Sequence, residues 1–149
     1  MKDNKQRNLV EHRRARFEYE LLDTFEAGLS LLGSEVKSIR NGRANLAQAF
    51  VRLKGGNAVL VGCHISPYEQ ANRNNHDPLR ERQLLLKRHE IEKLRKGLTQ
   101  KGMTIVPVRL YLSGSLIKLE LALAKGKHLY DKRQSLKEKD QKRQIARDR

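Results

Sequence analysis

Two runs of strict alternation constrain this chain more than any other feature: Val106, Val108, Leu110, Leu112 and then Ile117, Leu119, Leu121, Leu123. Every second residue of a strand points to the same face, so each run has one apolar face that must be buried. Ser113-Gly114-Ser115 connects the runs and predicts a turn between two long strands. Pro107 has no N–H to give to a ladder, which predicts an edge or a strand end at that point. The same period recurs upstream. Phe17, Tyr19 and Leu21 alternate with Glu18 and Glu20 and read as one strand. Phe25, Ala27, Leu29 and Leu31 read as another, with Gly28 marking a bulge or a close backbone approach. Phe50 to Leu53 and Ala58 to Ile65 read as strands around the hairpin residues Gly55-Gly56-Asn57. Helical spacing is confined to Ser34–Arg40, where Val36 and Ile39 face the core, and to the segment holding Ile91, Leu94 and Leu98. Gly42 and Gly102 are placed to end these helices. A polar loop spans Ser66 to Pro78.

About six strands with two or three helices, joined mostly as sequential hairpins, predict a mainly-β fold. Closing such a sheet removes its exposed edges, so the expected architecture is a small closed β-barrel of oligonucleotide-binding type. Phe17, Tyr19, Phe25 and Phe50 occupy core-like positions, whereas Tyr68, Tyr111 and Tyr130 are expected at the surface.

The pattern stops near residue 124, which gives a folded domain over 1–124 and a tail over 125–149. The tail holds ten lysines and arginines against four acids, and beyond Asp131 its only apolar residues are Leu136, Ile145 and Ala146. Burial of so little apolar surface cannot offset the entropy of ordering it, so the tail is expected to be disordered in isolation. It lacks proline and has no glycine after Gly126, so it can become helical on a partner.

The partner is indicated by charge. Lysine and arginine total 32 against 17 acids, a formal charge of +15, which repels itself unless a polyanion neutralises it. No run of about 18 apolar residues exists to cross a membrane. The stretch from Met1 to Arg16 has no apolar signal-peptide core, so a cytoplasmic location is expected. Cys63 is the only cysteine and excludes an internal disulfide. The five histidines show no metal-ligand spacing, His76-Asp77 stands alone in a loop, and no phosphate-binding glycine motif is present. Neither enzymatic activity nor a metal or other cofactor is expected.

Basic residues cluster in separate predicted elements: Arg13, Arg14 and Arg16; Lys37, Arg40 and Arg43; Arg80, Arg82, Lys87 and Arg88; and the tail. Such clusters neutralise phosphates and release counterions. Aromatic residues are only 5% of the chain, too few for a sequence-tolerant stacking platform, and this favours a folded RNA recognised by shape and backbone.

Specific strings go further. FEAGLSLL (25–32), GSEVKSIR (33–40), HISPY (64–68), NNHDPLRERQLLL (74–86) and AKGKHLYDKR (124–133) resemble, in order, the signature blocks of the SsrA-binding protein family, also called small protein B. That resemblance implies binding to the tRNA-like domain of transfer-messenger RNA and its delivery to the A site of stalled ribosomes for trans-translation. Elongation factor Tu is implied as an indirect partner through the charged RNA, and the protein is expected to be a monomer without catalytic activity. The RNA-binding residues the resemblance implies are Glu26, Lys37, Arg40, Leu85 and Lys118, and the basic clusters add Arg13, Arg14, Arg16 and Arg82 as expected RNA contacts. In the tail, Lys127, Tyr130, Asp131, Lys132 and Arg133 match the segment that occupies the decoding centre and the empty message channel. Two positions depart from the usual pattern: His12 stands where many members have asparagine, and Gln83 where many have lysine. An assembly or initiation factor with a similar barrel would share the charge and fold but not the AKGKHLYDKR tail. An RNA-cleaving enzyme would need a carboxylate cluster at metal spacing, which is not visible.

Overall fold

The computed structural model of the protein describes residues 6–69 and 75–127, which form nine strands and three helices. In chain order these are β1 (Gln6–Glu11), α1 (Ala15–Glu18), β2 (Tyr19–Leu29), α2 (Gly33–Arg40), β3 (Ala44–Asn45), β4 (Phe50–Lys54), β5 (Asn57–Val61), β6 (His64–Ile65), β7 (Arg82–Leu85), α3 (Arg88–Leu98), β8 (Met103–Ser113) and β9 (Leu116–Gly126). Seven strands make one antiparallel sheet in the order β1-β8-β9-β2-β7-β5-β4, and β3 pairs with β6 separately.

The β8–β9 hairpin is the spine, but β8 does not keep the single apolar face its alternation predicts. At the register shift by Pro107 the parity changes, so Leu110 and Leu112 face the main core while Val106 and Val108 pack with Ala122 and Ala124 on the other face. The hairpin's inward residues Ile105, Leu110, Leu119 and Leu121 are fully buried, and they join Ala27 of β2, Leu60 of β5 and Leu84 of β7 in one core. Val10 from one end of the sheet and Val51 from the other belong to the same core, so the sheet is rolled up on itself. It is not a closed barrel. β4 lies against β8, but among the described residues no ladder joins β4 to β8 or β1, which leaves β1 and β4 as edges. The reason lies along β8: β1 takes its edge from Arg109 to Ser113, and farther back Pro107 has no N–H for another strand.

Helix starts follow the acids that sit three residues in. Glu35 accepts the Leu32 N–H at 2.8 Å at the head of α2, and Glu90 accepts the Lys87 N–H at 2.9 Å at the head of α3. α3 buries Ile91 and Leu94 against the rolled sheet and stops at Leu98, ahead of Gly102.

Several local expectations are corrected. Phe17 belongs to the short α1, and the two strands expected around it and Phe25 are one bulged strand, β2. The run from Ala58 to Ile65 breaks at Gly62-Cys63, so β5 and β6 lie in different sheets. Pro107 sits at a register shift inside a central strand; there β1 has just ended and His12 takes over, its backbone N–H bonding the Val108 carbonyl at 2.9 Å. β1 and β7 show no apolar alternation. β1 buries only Val10 and owes its extended form to the free edge of β8, while the inward positions of β7 are Leu84 and, unexpectedly, Arg82. Tyr111 is buried and Phe50 exposed, the reverse of the sequence expectation.

Candidate RNA interface

Strand parity fixes one outward face. In the β2–β9 register Ala27 opposes Leu119, both buried, so their neighbours Glu26, Gly28, Lys118 and Glu120 point away from the core. Tyr111 of β8 opposes Lys118, and Leu85 of β7 opposes Gly28 on its other side. Residues far apart in the chain thus share one surface: Leu85, Glu26, Lys118, Tyr111, Arg109 and Glu120.

This surface is wired by charge. Lys118 Nζ lies 2.8 Å from Glu26 Oε1. Lys118 and the Tyr111 hydroxyl both donate to the Glu26 carboxylate and hold it below the usual carboxylate range. Burial, then the bond to Glu26, pushes the Tyr111 phenol well above its own range, so it stays a donor. The Arg109 guanidinium covers the Tyr111 ring at 4.2 Å from its centroid and pairs with Glu120 at 3.3 Å. Arg109 also donates to Asn8 and, at 2.8 Å, to Gln6, tying β1 to the face. Leu85 is 57% exposed, a large apolar side chain held beside this polar array.

Arg13 and Arg16 continue the surface. With Arg109, Glu120, Asn8 and Ala15 they line a groove of about 380 Å³. Arg13 and Arg14 line a second groove, of about 350 Å³, that reaches Gly42 and Ala44 beyond α2. Lys37 and Arg40 are exposed on α2, with the Lys37 ammonium 5.3 Å from the centre of the Tyr68 ring. They do not join the Glu26–Lys118 array directly.

Arg82 is a correction. It was expected to bind RNA, yet its side chain is fully buried. Its Nε donates to Glu35 Oε2 at 2.6 Å, Nη1 to the Cys63 carbonyl at 2.6 Å, and Nη2 to the carbonyls of Asp77 and Pro78 at 3.3 and 3.2 Å. A guanidinium committed to these acceptors has nothing to present to a phosphate. Glu35, also fully buried, takes a second arginine, Arg80, at 2.5 Å. Beside them Ser34 Oγ lies 2.8 Å from His76 Nδ1, and His76 Nε2 donates to the Ile65 carbonyl at 2.8 Å. These bonds fasten the head of α2 to the start of β7, the strand that ends in Leu85.

His12, one of the two departures, is also structural here: its Nδ1 donates to the Pro107 carbonyl at 2.9 Å. Gln83, the other, is exposed on β7. At the far end, β9 runs through Gly126, and the Lys127 N–H bonds the Glu18 carbonyl at 3.0 Å. Tyr130, Asp131, Lys132 and Arg133 lie outside the described residues. Among the described residues no group of three or more His, Cys, Asp or Glu could hold a metal ion, and no helix is long and apolar enough to cross a membrane.

Sequence reasoning missed Arg109, Tyr111 and Glu120. The signal available was their parity: each breaks the apolar character of β8 or β9 at a position that the alternation turns outward.

Comparison with known proteins finds relatives along nearly the whole chain. The family model described as SmpB protein matches residues 9–149. An SsrA-binding protein from Gloeobacter violaceus is 55% identical over 139 residues, covering 93% of this chain and 91% of the relative. One from Deinococcus radiodurans is 54% identical over 142 residues, covering 95% and 96% respectively. A solved structure described as "tmRNA-SmpB: a journey to the center of the bacterial ribosome" is similar with a TM-score of 0.68 and 41% identity, over 85% of this chain and 92% of the other.

Proposed function

This chain belongs to the SmpB protein family, and from that premise we propose that it binds transfer-messenger RNA and serves trans-translation on stalled ribosomes. The observation that carries the reading is the meeting of Glu26, Leu85 and Lys118 on one outward face, from three separate strands. Family resemblance picked these positions from sequence, and only a surface that uses them together needs them adjacent. The tRNA-like domain docks there. Arg13, Arg14 and Arg16 extend the contact along the phosphate backbone, and Lys37 and Arg40 add to it from α2.

The tail has a separate task. Lys127, Tyr130, Asp131, Lys132 and Arg133 enter the decoding centre and the empty message channel, where phosphates offset the roughly 1–2 kcal/mol of backbone entropy lost per residue ordered. The protein acts as a cytoplasmic monomer, catalyses no reaction, and meets elongation factor Tu only through the charged RNA.

Two measurements test this reading. Affinity for transfer-messenger RNA should exceed that for bulk tRNA across a salt series. Truncation after Gly126 should leave RNA affinity nearly intact and abolish tagging in a reconstituted translation assay. Equal binding to both RNAs, vanishing together as salt rises, would reduce the protein to a generic cationic RNA binder such as an assembly factor. A large loss of RNA affinity on truncation would refute the division of labour.

A further inference from the structure

We infer that Asn41-Gly42 is a self-modification site. Its carboxamide is converted by water to aspartate and isoaspartate at a rate set by fraying of α2, and the product weakens the RNA contact made from that helix. The effect on affinity rests on the reading that Lys37 and Arg40 meet RNA; the modification itself does not.

Asn41 is the only asparagine of the chain followed by glycine. Deamidation closes an imide ring from the next residue's nitrogen to the side-chain carbonyl carbon, and a Cβ on that residue obstructs the approach; glycine has none. Other asparagines are also tied up. Asn8 donates to Glu11, Asn45 accepts the Ala47 N–H, and Asn75 bonds the Tyr68 backbone twice. Asn57 precedes Ala58, which is held in the β4–β5 ladder. Asn41 is exposed, and among the described residues nothing bonds its carboxamide.

The helix end acts as a gate. The Gly42 N–H donates to the Ile39 carbonyl and the Arg43 N–H to the Ser38 carbonyl, both at 2.9 Å, with Gly42 at φ +72°. This is a closed left-handed helix end. It keeps the nucleophilic nitrogen bonded, and the Asn41 ψ of 8° points that nitrogen away from Cγ. Reaction therefore needs the last turn open. Opening is easy there: the Asn41 N–H is shared between the Lys37 and Ser38 carbonyls at 3.2 Å each, and the end lies in solvent. In the open state the Gly42 nitrogen gives up its proton and attacks Cγ. The N–Cγ bond forms, the Cγ–Nδ2 bond breaks, and ammonia leaves with that proton. Water then opens the imide at either carbonyl, giving aspartate or isoaspartate, with no change of oxidation state.

Both products put a carboxylate beside the exposed Lys37, Arg40 and Arg43, at the end of a helix where negative charge is unfavourable. Isoaspartate also adds a carbon to the main chain just before Gly42, which packs under the Leu9 carbonyl: a Cβ on Gly42 would lie 3.6 Å from that oxygen.

The test holds the full chain at mildly alkaline pH and physiological temperature, with and without the tRNA-like domain of transfer-messenger RNA. Peptide mapping and labelling by a protein isoaspartyl methyltransferase locate the product over time. Isoaspartate should accumulate at residue 41 ahead of every other asparagine, more slowly than in a free peptide spanning residues 38–45, and more slowly still with RNA bound. Asn41→Gln should give no such product. Aged wild type and fresh Asn41→Asp should each bind the RNA about threefold more weakly at low salt, the gap closing as salt rises, while aged Asn41→Gln keeps its affinity. An unmodified residue 41 after the free peptide has fully converted overturns the site, as does conversion as fast as the peptide's overturn the gate. Unchanged affinity in both the aged protein and Asn41→Asp overturns the effect on RNA binding. If residue 41 converts but the fresh protein shows no preference for transfer-messenger RNA, the functional reading fails and the modification site stands.

Discussion

Replacing Glu35 with glutamine isolates the buried cluster that positions β7. The variant keeps the shape of the side chain but leaves the Arg82 guanidinium fully buried without its anion. Arg80 is half-exposed and can turn to water, but Arg82 cannot. Breaking a buried pair on one side costs about 3–5 kcal/mol, because the remaining charge stays desolvated. For a domain of this size that corresponds to a fall in melting temperature of roughly 10–20 °C. The pH dependence adds a signature. Burial alone would push the Glu35 carboxyl up, but the bonds from Arg80, the Leu32 N–H and Arg82, with the charge of Arg82, hold it below the ordinary range. A carboxyl depressed on folding contributes stability that is complete above its unfolded pKa and is lost as pH falls through its folded one. Thermal melts at pH 7 should therefore separate wild type from Glu35→Gln, and the two should converge on acidification below the ordinary carboxylate range. A gap under about 1 kcal/mol at pH 7, against the penalty expected for a stranded buried charge, would refute the argument. So would a gap that does not change with acid. Arg82→Met supplies the companion measurement. It should melt early, yet bind RNA with near wild-type affinity at a temperature where it is folded. Loss of affinity without loss of stability would restore Arg82 as a phosphate contact.

Two further outcomes are expected. Gly62 has φ of +75°, and a Cβ there would stand 2.7 Å from the Gln48 carbonyl oxygen, so Gly62→Ala should destabilise by about 2 kcal/mol or more in thermal or urea melts. Changing Arg13, Arg14 and Arg16 together to glutamine should flatten the plot of log affinity against log salt by roughly one unit per arginine that meets a phosphate, with little change in melting temperature.

Much of the fold was legible because period-two burial is local. The alternation of residues 117–123 defines β9 and its inward face without knowledge of any neighbour; that of 106–112 marks β8 but not its faces, because the register shift at Pro107 turns Val106 and Val108 away from the core that Leu110 enters. The heads of α2 and α3 are set by Glu35 and Glu90, whose bonds from the Leu32 and Lys87 N–H groups appear only in the structure. β1 was not legible, because a polar edge strand takes its conformation from the strand it borders. Closure of the barrel was not decided by the strand pattern either, since it depends on whether the two last edges meet with free N–H groups.

For the site, the sequence by itself determined the chemistry: a cationic chain, a basic tail, and ordered family blocks that pointed to Glu26, Leu85 and Lys118. It could not say which basic residues reach solvent. Arg80 and Arg82 are two residues apart and chemically identical, yet one is half-exposed and the other fully buried. Only the tertiary structure decided that, because Glu35 arrives from α2 and the carbonyls of Cys63, Asp77 and Pro78 arrive from loops, all far from β7 in the chain or outside it. Burying a charge is tolerable only where such partners converge, and convergence is a property of the packed fold rather than of any local string.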